Sequence, residues 1–322
     1  MRILRASLCL LLALCILLGA CAMAEPVTFE DPVIESAIRE ALGVSQDEPV
    51  TTDQLETLTS LGCHKNGVTT LNDLAKCKNL EGLSLTANAK TKFNLEPLRG
   101  LTSLERLTIN GVVLTIAPAA ELPNLRSLSI RGIVENLDFT PIEGHDSLEI
   151  IEMYNRAANN ATNFMPLQSQ KSMRTVTLPL REEEVQPLLE SWPNLEYFAL
   201  YSCRVTTDEL STMATRKLRR LQVKLYDDQP ADFSWLSEQP DLYWIILFNC
   251  NPDDAALASL AKAAPGLEYL EFGGKNITDF TPLQSMQLKR LVIQNVSQKT
   301  IDAIQEMLPD VAVASSARVF HY

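Results

Sequence analysis

Apolar residues recur along this chain in one spacing, apolar-x-x-apolar-x-apolar. The pattern starts at Leu58-Leu61-Cys63 and runs through Leu80-Leu83-Leu85, Leu104-Leu107-Ile109 and Leu125-Leu128-Ile130. It continues at Leu148-Ile151-Met153, Met173-Val176-Leu178, Leu195-Phe198-Leu200 and Leu218-Leu221-Val223. Leu242-Ile245-Leu247, Leu267-Leu270-Phe272 and Leu288-Leu291-Ile293 complete the series. The eleven occurrences lie 21 to 25 residues apart, with a mean of 23. The second and third anchors are two residues apart, so they share one side of a short strand. One strand cannot bury that side alone, but stacked units bury it jointly. The segments between strands are of two kinds. Glu96-Pro97-Leu98, Thr140-Pro141-Ile142, Met165-Pro166-Leu167 and Thr281-Pro282-Leu283 predict short turns. Residues 208–214, 253–263 and 300–308 carry apolar residues at helical spacing and predict helices.

Ahead of the first unit, Phe29-Glu30-Asp31-Pro32 precedes Ile34, Ala37, Ile38 and Leu42, an amphipathic helical pattern. Asp31 suits its N-cap, Pro32 its first position and Gly43 its stop. Thr51-Thr52-Asp53-Gln54-Leu55 opens a second helical turn. Together with the period, these features resemble the leucine-rich repeat, in the form found in internalin-like bacterial surface proteins, over residues 27–313. The resemblance implies an α/β fold: a curved leucine-rich repeat solenoid of about eleven repeats. A parallel sheet would line the concave face, with mixed short and helical returns on the convex face. It also implies a helical cap over residues 25–57, repeats over 58–310, and a closing strand and tail over 311–322. The family favours Asn three residues after the third anchor. Asn66 and Asn88 stand there, with Cys203 and Cys250 as the accepted substitute. Val112, Ile133, Arg156, Arg181, Tyr226, Lys275 and Val296 occupy the other units, so irregular coils are expected.

Residues 1–24 read as an export signal. Arg2 and Arg5 precede the apolar run Leu8 to Leu18, which is shorter than the roughly 20 residues of a membrane span. Leu18-Gly19-Ala20-Cys21 resembles a lipobox, which would leave a lipidated Cys21 at the mature N-terminus. Ala22-Met23-Ala24 resembles the site for ordinary secretion. Both readings place the protein outside the cytoplasm, and the only membrane contact expected is through the lipid.

Acidic residues outnumber basic ones by 40 to 28, a net charge of −12. That balance argues against nucleic acid as a partner, because duplex binding needs a basic footprint. Cys63, Cys77, Cys203 and Cys250 do not form a disulfide framework or a zinc spacing. Cys203 and Cys250 are expected as buried ladder residues, two strands and so roughly 10 Å apart. A Cys63–Cys77 bridge and two free core thiols both remain open. His64, His145 and His321 are scattered, with neither a nucleophile elbow nor a ligand-spaced partner. No enzyme activity, cofactor or metal is expected.

Positions just before, between and after the inward anchors are expected to face out of the sheet. In the first three repeats they are small or polar. From the fifth onward they become aromatic and basic. Tyr197, Arg220, Trp244 and Tyr269 form one column, while Tyr201, Lys224 and Phe248 form another, with Tyr154 ahead of them. Clustered Tyr, Trp and Arg at a surface have the composition of a binding hot spot. The competing reading is cross-strand packing that only stiffens the sheet. Trp192 and Trp235 fall on returns and read as convex-side core. The same outward positions hold Lys65, Arg106, Arg131, Arg220, Lys224 and Arg290 against Glu152 and Glu271, a basic face on an acidic body. The expectation is an exported binding module that recognises a protein, peptide or polysaccharide at its concave face. The alternative is an envelope scaffold without a discrete ligand.

Overall fold

The computed structural model describes residues 25–86, 92–143, 146–154, 162–226, 231–248 and 251–316. Cys21, Asn88, His145, Arg156, Cys250 and His321 lie outside the described residues. Helix α1 (Pro32–Leu42) starts where the Asp31 carboxylate accepts the backbone N–H groups of Val33 and Ile34, at 2.9 and 3.0 Å. It ends at Gly43, whose φ of 67° is left-handed and free of strain only without a Cβ. Its buried Ile34, Ala37 and Ile38 belong to the same core as the first strand. Helix α2 (Thr52–Glu56) carries a reciprocal cap, Thr51 accepting from Gln54 N–H and Gln54 from Thr51 N–H.

The strands then come in chain order. They are β1 (Ser60–Cys63), β2 (Gly82–Thr86), β3 (Lys92–Phe93), β4 (Arg106–Asn110), β5 (Val112–Thr115), β6 (Ser127–Ile130), β7 (Val134–Asp138) and β8 (Ile150–Met153). Next are β9 (Thr162–Asn163), β10 (Thr175–Thr177), β11 (Tyr197–Ala199), β12 (Arg220–Val223), β13 (Trp244–Leu247), β14 (Tyr269–Gly273), β15 (Arg290–Gln294) and β16 (Ala312–Ser316). Twelve of them build one parallel sheet in the order β1-β2-β4-β6-β8-β10-β11-β12-β13-β14-β15-β16. The inward anchors fall in register: Leu61 pairs with Leu83, Leu83 with Leu107, and so on through Leu270, Leu291 and Val313. The row from Leu61 to Leu291 is buried, and each such side chain stabilises the fold by roughly 1.5–3 kcal/mol relative to exposure. β16 is the closing strand expected near Val311–Val313.

The returns differ between the two halves. In the second to fifth coils they add a second parallel sheet, β3-β5-β7-β9, absent from the sequence reading. It brings the coils so close that a Cβ on Gly132 would sit 1.7 Å from the Gly111 carbonyl oxygen. In the second half helices take over. The chain forms α4 (Glu182–Ser191) after the four-residue α3 (Ala117–Ala120), then α5 (Thr207–Ser211), α6 (Asp254–Ala263) and α7 (Gln298–Met307). The last three match the three expected helices. α4 was not anticipated, because Pro187 interrupts its pattern. Short 3-10 turns alternate with these helices. Each of the turns at Asp138-Phe139-Thr140, Asp232-Phe233-Ser234 and Asp279-Phe280-Thr281 is closed by the aspartate accepting from the backbone N–H two residues on, at 2.9–3.0 Å.

Side-chain amides staple neighbouring coils, though not from the expected ladder position. Asn66 is exposed and makes no hydrogen bond among the described residues. Asn79, Asn124 and Asn194, each just before a first anchor, instead donate to a backbone carbonyl of the preceding coil at 2.8–2.9 Å. Buried Gln239 accepts from Leu218 N–H at 2.8 Å and donates to the Ala214 carbonyl at 2.7 Å. Cys63 and Cys77 are free and buried; burial, then the Asp73 charge, pushes the Cys77 thiol up to about 11. Cys203 is half-buried, a correction to its reading as a buried ladder residue. Trp192 and Trp235 are buried on the returns, as expected.

Candidate functional site

The two residues between the first and second anchors both stand clear of the core, and their backbone shows why. At most strand starts the carbonyl of the first of them accepts two successive N–H groups of the next coil. Glu196 O takes Arg219 and Arg220 N–H, and Tyr243 O takes Glu268 and Tyr269 N–H. This shared acceptor interrupts the two-residue alternation, so an additional outward column precedes the three expected ones. It holds Glu81, Glu105, Arg126, Glu149, Arg174, Glu196, Arg219, Tyr243, Glu268 and Lys289. Most of these charges pair across strands: Arg126–Glu149 and Arg174–Glu196 at 2.6 Å, and Lys289–Glu268 at 2.7 Å. The simple excess of basic residues read from sequence is therefore smaller once this column is included. A polar cleft of about 520 Å³ runs beside it, lined by Glu149, Ser172, Arg174, Asn194, Glu196 and Lys217. Arg174 and Glu196 in its lining pair with each other.

Register aligns Tyr197, Arg220, Trp244 and Tyr269 across β11 to β14, as the sequence spacing implied. Their planar groups stack. The Arg220 guanidinium carbon lies 5.1 Å from the Tyr197 ring centre and 4.9 Å from that of Trp244. Trp244 stacks on Tyr269 at 3.8 Å between centroids, 7° from parallel. Trp244 therefore has the guanidinium on one face and the phenol on the other. Tyr243, from the column that sequence reasoning missed, completes the group. Its hydroxyl accepts Arg220 Nε at 2.6 Å and lies 3.2 Å from the Tyr197 hydroxyl, and its ring centre is 5.2 Å from the guanidinium. The Tyr197 hydroxyl is raised from its ordinary value, chiefly by that bond to Tyr243. Burial pushes the Tyr243 hydroxyl up, but the bonds from Tyr197 and Arg220 and the Arg220 charge leave it lowered. These opposite directions fit Tyr197 as donor and Tyr243 as acceptor.

The other expected column also packs on itself. Tyr154, Tyr201 and Phe248 follow one another at 6.0 and 5.0 Å between ring centres. Phe248 is only 9% exposed, a correction to its reading as a solvent-facing residue: the Tyr201 ring and its neighbours cover it. Tyr154, Tyr197, Tyr201, Lys224, Trp244 and Tyr269 are half-buried rather than fully exposed. Between the two columns lies a buried floor of Thr177, Ala199, Ile246, Glu271 and Val292. The tyrosines bend over it. Tyr201 bonds to Gln222, and Tyr269 donates to Glu271 at 3.0 Å, whose other oxygen accepts from Gln294 at 2.8 Å. His64 is exposed on the same sheet face at β1 and pairs with Thr86 at 3.2 Å, far along the sheet from this cluster.

No family model matches the sequence, and no curated protein matches it. Solved structures do. An internalin (InlF) from Listeria monocytogenes superposes with a TM-score of 0.60 at 21% identity, over 92% of this chain and 92% of that one. The functional domain of InlJ from the same organism, described as including a cysteine ladder, matches with a TM-score of 0.54 at 16% identity. That match covers 89% of this chain and 59% of the other. With its twelve-stranded parallel sheet and repeating coils, the chain is an internalin-like leucine-rich repeat protein in fold.

Proposed function

We propose that this protein is an exported binding module that recognises a protein or glycan on the open face of its sheet, over β11 to β14. Tyr154, Tyr197, Tyr201, Arg220, Lys224, Trp244 and Tyr269 form the contact surface, with Tyr243 added and Phe248 supporting it from below. The single observation that carries this reading is the Tyr197–Arg220–Trp244–Tyr269 stack on the side of the sheet turned away from the core. Residues 25–57 act as the cap of the first coil, and residues 1–24 direct export. Lipidation at Cys21 anchors the protein to the cell surface; cleavage after Ala24 would instead release it. Among the described residues no helix is long and apolar enough to cross a membrane.

One observation favours the rival, a scaffold without a discrete ligand. The rings pack on each other, and the hydroxyls of Tyr201 and Tyr269 bond inward to Gln222 and Glu271, as cross-strand stiffening requires. A protein and glycan array separates the two. Wild type retains a ligand that Tyr197→Ala/Trp244→Ala loses, with both proteins folded by circular dichroism. Equal retention by the two would remove the binding face from these strands.

A further inference from the structure

The stack on β11 to β14 uses up most of its own chemistry, and what it leaves over is one-sided. Both faces of Trp244 are covered, by Arg220 and by Tyr269. A sugar ring that needs an open aromatic face finds none on this indole. The hydroxyls of Tyr201 and Tyr269 already bond to Gln222 and Glu271.

The surplus consists of donors. A guanidinium has five N–H groups, and Arg220 uses one, on Tyr243. Among the described residues its two terminal nitrogens make no hydrogen bond, and they are not buried. No carboxylate pairs with it among the described residues. Tyr197 and Tyr243 share one bond, and Tyr243 also accepts from Arg220. Whichever phenol donates within the pair, the other O–H proton has no acceptor there. Donors thus converge with no acceptor between them, in a setting shielded by three rings, where a charge-assisted hydrogen bond is strong.

The surroundings have the same sign. Arg219, Lys224 and Arg290 on this part of the face form no ion pair among the described residues. The nearby acids are engaged: Glu196 with Arg174, Glu268 with Lys289, and buried Glu271 with Tyr269 and Gln294.

We infer that Arg220, with the Tyr197–Tyr243 phenol pair, forms a carboxylate-receiving site for an acidic peptide segment of the partner. This rests on the open face being the binding surface. The planar fork of Arg220 fits both oxygens of a carboxylate, and the free phenol proton reaches the same group. Arg219, Lys224 and Arg290 steer further acidic side chains of the segment. A peptide suits the site better than a glycan, because both faces of the central Trp244 are covered and the unused groups are hydrogen-bond donors.

The test is a displayed library of random twelve-residue peptides panned on the purified protein, followed by titration of the enriched peptides by fluorescence anisotropy. Enrichment of Asp or Glu is expected. Replacing the enriched acid by its amide should weaken binding at least tenfold on wild type and less than twofold on Arg220→Gln. Arg220→Lys should recover only part of the loss. Enriched peptides without acids, or an acid-to-amide penalty as large on Arg220→Gln as on wild type, would overturn the site. An oligogalacturonate that bound more tightly than every peptide, and lost binding with Arg220→Gln, would overturn the peptide class. Failure of the underlying reading looks different: peptides would bind Tyr197→Ala/Trp244→Ala as well as wild type.

Discussion

Trp244 and Tyr269 lie face to face on adjacent strands, 3.8 Å between ring centroids and 7° from parallel. A stacked aromatic pair contributes about 0.5–1.5 kcal/mol beyond the area it buries. A double-mutant cycle of Trp244→Ala and Tyr269→Ala in urea unfolding should therefore give a coupling of about 1 kcal/mol. A coupling near zero would mean that the rings do not stack in solution.

Asp31 ties the N-terminal helix to the first coil. One oxygen caps α1, and the other accepts from Thr69 N–H at 2.5 Å, the Thr69 hydroxyl at 2.8 Å and Thr70 N–H at 3.2 Å. Burial raises its pKa, but these bonds together with that from Ile34 leave it below the ordinary value. A carboxylate depressed in the folded state contributes stability above its unfolded pKa of about 3.9, and that contribution is lost as pH falls through the folded value. Urea midpoints of wild type should drop below about pH 4, and Asp31→Asn should show less of that drop. Asp31→Ala should cost about 2–3 kcal/mol at neutral pH. A pH profile unchanged by Asp31→Asn would count against this role.

Two buried tryptophans on the returns differ in one bond. Trp192 Nε1 donates to the Leu167 carbonyl at 3.0 Å, whereas Trp235 Nε1 is buried with no acceptor among the described residues. Replacement by Phe removes similar volume from both sites. Trp192→Phe should be the more destabilising, by about 1 kcal/mol, because Trp235→Phe also removes an unsatisfied donor. Equal losses in thermal or urea unfolding would contradict this.

Glycine at 132 is required by the approach of its neighbour's backbone, since an added Cβ would fall 1.7 Å from the Gly111 carbonyl oxygen. Gly266 has nothing within 4 Å of its Cβ position. Gly132→Ala should lower the melting temperature clearly, by the equivalent of about 2 kcal/mol or more. Gly266→Ala should stay within about 0.5 kcal/mol of wild type. Comparable melting of the two variants would refute the close packing of the third and fourth coils.

Much of this architecture was legible in the residues. The 23-residue period locates the strands, because anchors two apart must share a face. Asp31, Pro32 and Gly43 mark both ends of the first helix through capping chemistry. The alternation rule failed where the backbone departs from alternation. The doubly accepting carbonyl at most strand starts turns a second residue outward, so Tyr243 and the paired charges around Arg174 were overlooked. Two residues between the first and second anchors, instead of one, were the available signal. Helix α4 was missed because Pro187 masks it, although Glu182, Glu183 and Glu184 suit a helix N-terminus. The half-burial of Tyr154 and Tyr201 and the burial of Phe248 depend on which rings meet across strands, and the direction of a side chain does not specify its neighbours.

The central claim concerns which surface meets the partner. A photo-crosslinking phenylalanine analogue placed in turn at positions 154 and 269 samples both ends of the open face. The same analogue in place of Ile133, which is 44% exposed, samples a surface outside the main sheet. With the best ligand from the arrays, crosslinks should form from positions 154 and 269 and not from 133. Crosslinks from 133 alone would contradict recognition at the open face.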